Sequence, residues 1–189
     1  MKRTLTIAVV LLLILSACNH YTPKPRGYFR IDFAKPHYTM ISLSDLPYSF
    51  KVSQLATIEL PPVDSSANWL NIVYPTLHAK VYCSYLNVKG VAFTKATDEC
   101  RALVSKEAKK IDEVAEQSYV NDRAQVYGTI FLLDNESASP IQFMLTDSSQ
   151  RLFRGALYYE CPLNSDSLAP VTNYLRDNIR AMIESFKWK

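Results

Sequence analysis

Short segments in which apolar and polar side chains alternate recur along the chain after residue 27. In the segment 28–33, aromatic and aliphatic residues take every second position, and Arg30 and Asp32 lie between them on the opposite face of a predicted strand. Prolines and polar turn residues separate such segments and keep each strand short. The other predicted strands are Tyr48–Ser53, Ala56–Leu60, Trp69–Tyr74, His78–Leu86, Glu116–Val120, Gln125–Leu133, Ile141–Thr146 and Leu152–Tyr159. Polar turns within the second half of this series predict consecutive hairpins.

Two other segments repeat their apolar residues every three or four positions, which predicts amphipathic helices. The first helix is expected to begin near Thr94–Asp98, and the second to follow a capping cluster at Ser165–Ser167 with Pro170 in its first turn. The predicted buried residues are Cys100, Leu103, Val104, Ala108, Ile111 and Ala115 in the first helix, and Leu168, Val171, Leu175, Ile179, Met182 and Phe186 in the second. The order of elements predicts an α+β fold, a mostly antiparallel sheet with two covering helices, similar to Mog1/PsbP-like sandwiches.

Residues 1–17 have the layout of a bacterial signal peptide. Two basic residues precede an apolar run that ends at Leu15, and the run is shorter than the roughly 20 residues that a membrane-spanning helix needs. The sequence Leu15-Ser16-Ala17-Cys18 resembles a lipobox, so we expect cleavage before Cys18 and acyl chains, such as palmitate, attached to the cleaved product. The alternative is an ordinary signal peptide followed by a coincidental cysteine. Several acyl chains would hold the protein almost permanently at a membrane.

The remaining chain is long enough for one domain, because domains usually contain about 100 to 150 residues. We expect residues 18–27 to form a lipidated tether and residues 28–189 a single α+β domain. The formal charge is +3, and it falls to +1 once Lys2 and Arg3 leave with the signal peptide. Charges of both signs are interspersed, which excludes the basic patch that nucleic-acid binding requires.

Three cysteines remain besides Cys18, namely Cys83, Cys100 and Cys161. Disulfides can form outside the cytoplasm, so one pair could be oxidised. Cys83 and Cys100 fall on predicted apolar faces, however, which favours buried free thiols. None of the three has the spacing of a zinc site, and we predict no metal and no cofactor.

Catalytic motifs are missing from the sequence. The chain has three histidines and four glycines, and it contains no GxSxG, HExxH or glycine-rich phosphate loop. We therefore predict a protein without enzymatic activity. The alternatives are a binding module for a small molecule or peptidoglycan with a tyrosine-lined pocket between sheet and helix, and a hydrolase that brings together two carboxylates or a serine with His37 or His78.

The segment around Arg154 is the most distinctive part of the predicted sheet. Arg154 follows an apolar pair, Gly155 would permit close approach of another group to the backbone, and Tyr158 belongs to the same aromatic-rich strand. Arginine and tyrosine are enriched at interface hot spots, so Arg154, Gly155 and Tyr158, together with Arg30 and Asp32, are candidates for contact with a partner protein. The alternative is structural, with Arg154 paired to an acid such as Asp32.

Six segments spread along the chain match a known family, namely Tyr21–Phe33, Pro47–Phe50, Asn71–Pro75, Thr146–Tyr158, Asp166–Val171 and Trp188–Lys189. Through these segments the chain resembles the gliding motility-associated lipoprotein family GldD of the Bacteroidetes. The resemblance implies a role in gliding and in type IX protein secretion, with other envelope proteins of that machinery as partners and without an established activity or cofactor. No acidic residue follows Cys18 directly, so we expect a periplasm-facing domain on the outer membrane rather than the inner one.

Overall fold

A computed structural model describes residues 33, 35–62, 69–108, 114–133, 137–160 and 165–189. Its strands are β1 (Tyr38–Ile41), β2 (Tyr48–Ser53), β3 (Thr57–Glu59), β4 (Trp69–Tyr74), β5 (Ala79–Asn87), β6 (Ala115–Asn121), β7 (Val126–Leu132), β8 (Ile141–Thr146), β9 (Arg151–Tyr159) and β10 (Lys187–Trp188). The α-helices are α1 (Val91–Ala108) and α2 (Ser165–Ser185), and a short 3₁₀ helix covers Pro75–Leu77.

Seven strands form one antiparallel sheet in the order β3-β4-β5-β9-β8-β7-β6. The strands β6 to β9 follow one another as hairpins, as predicted. The long connection between β5 and β9 contains α1 and the first three strands of this hairpin series. A second, three-stranded sheet has the order β1-β2-β10. The described residues thus form the predicted α+β fold of a mostly antiparallel sheet with two helices.

The main core lies between the seven-stranded sheet on one side and α2 with strand β2 on the other. Its centre is aromatic: the ring centroid of Phe153 on β9 lies 4.7 Å from that of Tyr48 on β2 and 5.1 Å from that of Phe186 after α2. All three residues are almost completely buried. Burial of each large apolar side chain stabilises the fold by about 1.5–3 kcal/mol, so this contact ties both helix and small sheet to the main sheet.

Helix α2 buries most of the predicted face, since Val171, Leu175, Ile179 and Met182 are buried. Leu168 is only partly buried, and Phe186 is buried directly after the helix ends. Its predicted start is wrong. The helix begins at Ser165, so Ser165–Ser167 belong to it rather than preceding it, and Pro170 is an interior residue. Proline removes one backbone N–H donor, which is tolerated close to a helix start where few donors have partners within the helix.

Helix α1 begins at Val91, earlier than predicted, and the predicted face was partly wrong. Gly90 adopts a positive φ of 60°, and its carbonyl accepts hydrogen bonds from Phe93 and Thr94 in the first turn. The periodicity missed this turn because Val91 is 86% exposed. Cys100 and Val104 are buried as predicted, whereas Leu103 is 45% exposed, and Ile111 lies outside the described residues. Ala115 belongs to β6, where it pairs with Leu132 of β7.

The remaining differences concern short or terminal elements. Strands β1 and β10 were not predicted. The strand predicted at 28–33 lies outside the described residues except for Phe33, which is in no strand and stacks on Tyr174 of α2 at 4.3 Å. The expected signal peptide, the tether and Cys161 also lie outside them. Neither described helix combines the length and the apolar character that crossing a membrane requires.

Candidate functional site: a pocket beside helix α1

The face of the seven-stranded sheet opposite α2, here called the α1 side, is only partly covered. Helix α1 packs through Cys100 and Val104 onto strands β7 to β9, where the buried partners are Phe131, Leu133, Met144 and Leu152. Within the described residues, no helix or strand covers β3, β4 and β5 on this side. Three large side chains are exposed there, with accessible fractions of 48% for Tyr82, 44% for Leu86 and 40% for Tyr158.

A pocket lies at the border between the covered and the uncovered halves of the α1 side. Its volume is about 570 Å³, within the range of small-molecule sites. The sheet supplies its floor, and α1 supplies a wall through Cys100, Leu103, Val104, Lys106 and Glu107. The side chains on the floor are Trp69, Asn71, Tyr82, Ser84, Gln142, Met144, Arg154, Ala156 and Tyr158.

The strand register explains why a cavity forms here. Ser84 of β5 pairs with Arg154 of β9, and Tyr82 pairs with Ala156, which in turn pairs with Gln142 of β8. Residues directly opposite each other on neighbouring strands share a face, so Ser84 and Ala156 place two small side chains at the centre of the floor. The larger side chains stand around them and leave the space between floor and helix open.

Arg154 provides a positive charge on this floor. Its Nε donates a hydrogen bond to Ser84 Oγ at 3.1 Å, and the side chain is exposed to solvent. Within the described part of the chain, no carboxylate forms an ion pair with Arg154. The two terminal amino groups of the guanidinium are therefore left without a protein acceptor there. Asp32, the acid expected as its structural partner, lies outside the described residues, as do Arg30 and Cys18.

Aromatic rings border the pocket on its uncovered side. Tyr82 and Tyr158 meet edge to face with their ring centroids 5.6 Å apart, and the Lys80 ammonium lies 5.6 Å from the centroid of the Tyr82 ring. Such an arrangement holds both phenol rings in place although they are exposed. Trp69 of β4 is half-buried and continues this aromatic border. The rings can therefore receive a flat apolar group from solvent.

A polar cluster fixes the floor beside the aromatic border. Asn71 donates a hydrogen bond to Glu59 Oε2 at 2.7 Å, and Lys80 Nζ lies 3.3 Å from the same oxygen and 3.8 Å from Glu160 Oε1. The hydrogen bond from Asn71, followed by the interaction with Lys80, lowers the pKa of the Glu59 carboxyl. The hydrogen bond with Glu59 raises the pKa of Lys80. Both groups are therefore charged at neutral pH, and Lys80 is neutralised within this cluster.

The absence of a side chain at Gly155 is required on the core side of the sheet. It pairs with Phe143 of β8, and a Cβ atom at this position would lie 2.2 Å from Cζ of that ring. The close approach expected at Gly155 is thus made by Phe143 of the same chain. Gly155 also lines the pocket through its backbone.

Among the described residues, neither histidine proposed as a base for a serine forms a side-chain hydrogen bond. His37 and His78 are both exposed, and their hydrogen bonds run through backbone groups. The two carboxylates of Glu59 and Glu160 meet at Lys80, which forms ion pairs with both. No cluster of three or more potential metal ligands forms among the described residues. Cys83 and Cys100 are buried free thiols, as favoured by their positions in the sequence. Burial raises the pKa of the Cys83 thiol, which keeps it protonated.

Sequence reasoning found three of the pocket residues, Arg154, Gly155 and Tyr158, and missed most of the others. Tyr82 and Ser84 occupy alternate positions of β5, so the strand pattern alone could have placed them on the polar face. The sequence did not show that β5 pairs with β9, because the two strands are far apart in the chain. Lys106 and Glu107 could not be assigned to the pocket either, because this assignment depends on where α1 lies on the sheet.

Comparisons with known proteins assign the fold and the family. The structure is similar to the solution structure of cyanobacterial PsbP (CyanoP) from Synechocystis sp. PCC 6803, with a TM-score of 0.50 and 8% sequence identity over 93% of this chain and 99% of that chain. At this identity the likeness concerns the fold alone, and it confirms the predicted PsbP-like sandwich. No curated protein sequence matches the chain. The family model described as gliding motility lipoprotein GldD matches residues 18–188. Since this match covers nearly the whole chain, the protein belongs to the GldD family of gliding motility lipoproteins.

Proposed function

We propose that this lipoprotein is a non-catalytic assembly or stability factor that docks on other envelope proteins of the gliding and type IX secretion apparatus. Family membership supports the role in motility. The observation that carries docking is the uncovered half of the α1 side, where Tyr82, Leu86 and Tyr158 are each at least 40% exposed. Tyrosine is enriched among the residues that dominate binding energy at interfaces, and the rings of Tyr82 and Tyr158 lie in contact with their centroids 5.6 Å apart.

Lipid on Cys18 would confine this surface to the neighbourhood of a membrane. The family match starts at Cys18, the residue that closes the lipobox-like sequence. A tether of residues 18–27 is short, so the domain at 28–189 would meet partners close to the bilayer. We place the domain on the periplasmic side, at the outer membrane rather than the inner one. Arg30 and Asp32, which follow the tether, are candidates for additional partner contacts.

Complementation of a deletion strain tests the docking role. We expect loss of gliding, of type IX cargo secretion, or of other apparatus proteins in the deletion strain, and failure of a Tyr82→Ala/Tyr158→Ala variant to restore them. The matched control is Val91→Ala, since Val91 is 86% exposed but does not line the pocket. Normal motility, secretion and protein levels in the deletion strain would refute the proposal.

Metabolic labelling tests the anchor separately. Cys18→Ser should abolish palmitate incorporation and release the protein from the membrane fraction, because the acyl chains provide the membrane affinity. Unchanged labelling of this variant would contradict lipidation at Cys18.

A second candidate function is ligand binding in the pocket beside α1. The cavity of about 570 Å³ combines an aromatic border with polar side chains that converge from four strands and a helix. Such a combination is typical of small-molecule sites. The ligand would be a small molecule or a fragment of peptidoglycan, and a shift of pocket resonances in NMR spectra on addition of cell-wall fragments would support this function.

A further inference from the structure

We propose that the pocket beside α1 binds a ligand made of a carboxylate joined to an apolar or aromatic body, and that Arg154 holds the carboxylate. This inference rests on the second candidate function, ligand binding in that pocket, and names the chemical class of the ligand. It does not require docking on apparatus proteins, although Tyr82 and Tyr158 belong to both proposed surfaces.

The geometry of Arg154 suits a carboxylate. The hydrogen bond from Nε to Ser84 Oγ, at 3.1 Å, orients the guanidinium over the floor of the pocket. The terminal amino groups, which have no acceptor among the described residues, form the planar fork that a carboxylate engages with two parallel hydrogen bonds.

The charges around the pocket leave Arg154 as the principal cation on the floor. Among the described residues of this face, Lys80 is also a cation, and it is neutralised by Glu59 and Glu160. The α1 wall carries one charge of each sign, on Lys106 and Glu107. A single negative charge on the ligand is therefore matched by Arg154.

The rest of the lining suits an uncharged, apolar body. Trp69, Tyr82 and Tyr158 offer ring faces and edges, and the wall adds the thiol of Cys100 and the side chains of Leu103 and Val104. Asn71 and Gln142 provide polar groups that could meet an amide. Two sources supply this chemistry: the C-terminus of a peptide with an apolar last residue, and a small apolar carboxylic acid.

Calorimetric titration of the mature chain carrying Cys18→Ser distinguishes these sources. The probes are N-acetylphenylalanine, the tripeptide Ala-Ala-Phe, and the C-terminal amide of each. We expect at least one acid to bind about tenfold more tightly than its amide, because the amide lacks the charge that the guanidinium engages. Tighter binding of the tripeptide would identify a peptide C-terminus, and tighter binding of the smaller acid would identify a small molecule.

Substitutions test whether Arg154 binds the carboxylate of the ligand. We expect Arg154→Gln to weaken binding of the acid about tenfold while leaving the amide unaffected, and Arg154→Lys to retain part of the preference because it keeps the charge but not the fork. Arg101→Gln is the matched control on the exposed face of α1. All three variants replace an exposed residue, and circular dichroism would verify their folding.

Each result decides between the proposals. Equal binding of acid and amide, with both weakened by Tyr82→Ala, would overturn the carboxylate inference but keep the pocket as a ligand site. Absence of binding by all four probes at millimolar concentration would overturn the inference, and failure of NMR spectra to respond to cell-wall fragments would then remove the ligand-binding function. Neither result would affect docking, which the motility and secretion assays test.

Discussion

Replacing Gly155 with alanine perturbs the sheet at the place where core and pocket share one strand. The added Cβ would lie 2.2 Å from Cζ and 2.5 Å from Cε1 of Phe143. Carbon atoms in contact are normally about 3.5–4.0 Å apart, so the ring has to move by roughly 1 Å or more. Phe143 is 2% exposed and packs against the buried ring of Phe153, with centroids 6.0 Å apart, which leaves little room for that movement.

The expected cost follows from two opposing effects. Overpacking of a well-filled core costs about 1–3 kcal/mol, and the short contacts place this site near the upper end. Alanine is favoured over glycine within a strand by roughly 0.5–1 kcal/mol, which offsets part of that cost. We expect Gly155→Ala to lower the free energy of unfolding by about 2 kcal/mol.

Urea unfolding followed by tryptophan fluorescence measures this change, because the Trp188 ring lies 4.7 Å from the Phe186 ring in the core. The control is the same substitution in a Phe143→Leu background, where the ring atoms that would clash are absent. There Gly155→Ala should be neutral or slightly stabilising, which gives a coupling energy of about 2 kcal/mol between the two sites. An equal cost in both backgrounds, or no cost in the parent protein, would refute the close-contact explanation.

Three further outcomes can be measured on the same material. Burial acts to raise the pKa of Asp147, but hydrogen bonds from three backbone N–H groups of residues 149–151, at 2.9–3.0 Å, outweigh it and lower the pKa below 3.8. The ionised Asp147 carboxylate therefore stabilises the fold above about pH 4. Asp147→Ala should lower the free energy of unfolding by about 2 kcal/mol at pH 7, and by progressively less as the pH falls through the lowered pKa. A loss of stability that does not change with pH would contradict this explanation. Cys83 is fully buried with a raised pKa, so iodoacetamide should alkylate it only in urea, and labelling of the native protein at the unfolded rate would show that the thiol is accessible. Gly90 has a φ of 60° and open space around it, so Gly90→Ala should lower the free energy of unfolding by about 1 kcal/mol through backbone strain alone. Gly90→Asn should lower it less, because asparagine tolerates this backbone conformation better. Urea unfolding midpoints in the opposite order would contradict this explanation.

The hairpin half of the fold was predictable because its determinants are local. In β8 and β9 the polar residues Gln142, Thr146, Arg154 and Tyr158 all occupy even positions and so share one face, and the turn at 147–150 carries the polar residues that such turns require. Strands β1 and β10 were not predictable in the same way. Strand β10 has two residues and exists because Trp188 pairs with Tyr48, at the other end of the domain. Such a strand forms only because of contacts with residues distant in the chain, and the local sequence gives no signal for it.

The pocket residues likewise fall into those that the sequence could identify and those that it could not. Arg154 and Tyr158 stood out because a charge and a phenol follow an apolar pair in one strand. Ser84 and Trp69 did not, because their importance depends on the register that places β5 between β4 and β9. That register joins residues about 70 positions apart, such as Ser84 and Arg154. A cavity built from non-local neighbours therefore requires the structure.

Alternate residues of β9 serve two different surfaces of one sheet. Phe153 and Leu157 belong to the core beneath α2, whereas Arg154 and Tyr158 line the pocket on the α1 side. Successive residues are only about 3.3 Å apart along a strand, and a register slip of one position would exchange the two sets. The turn fixed by Asp147 sets this register and so protects the core and the pocket together. Substitutions at odd positions of β9 should therefore act mainly on stability, and those at even positions from Arg154 onward mainly on binding.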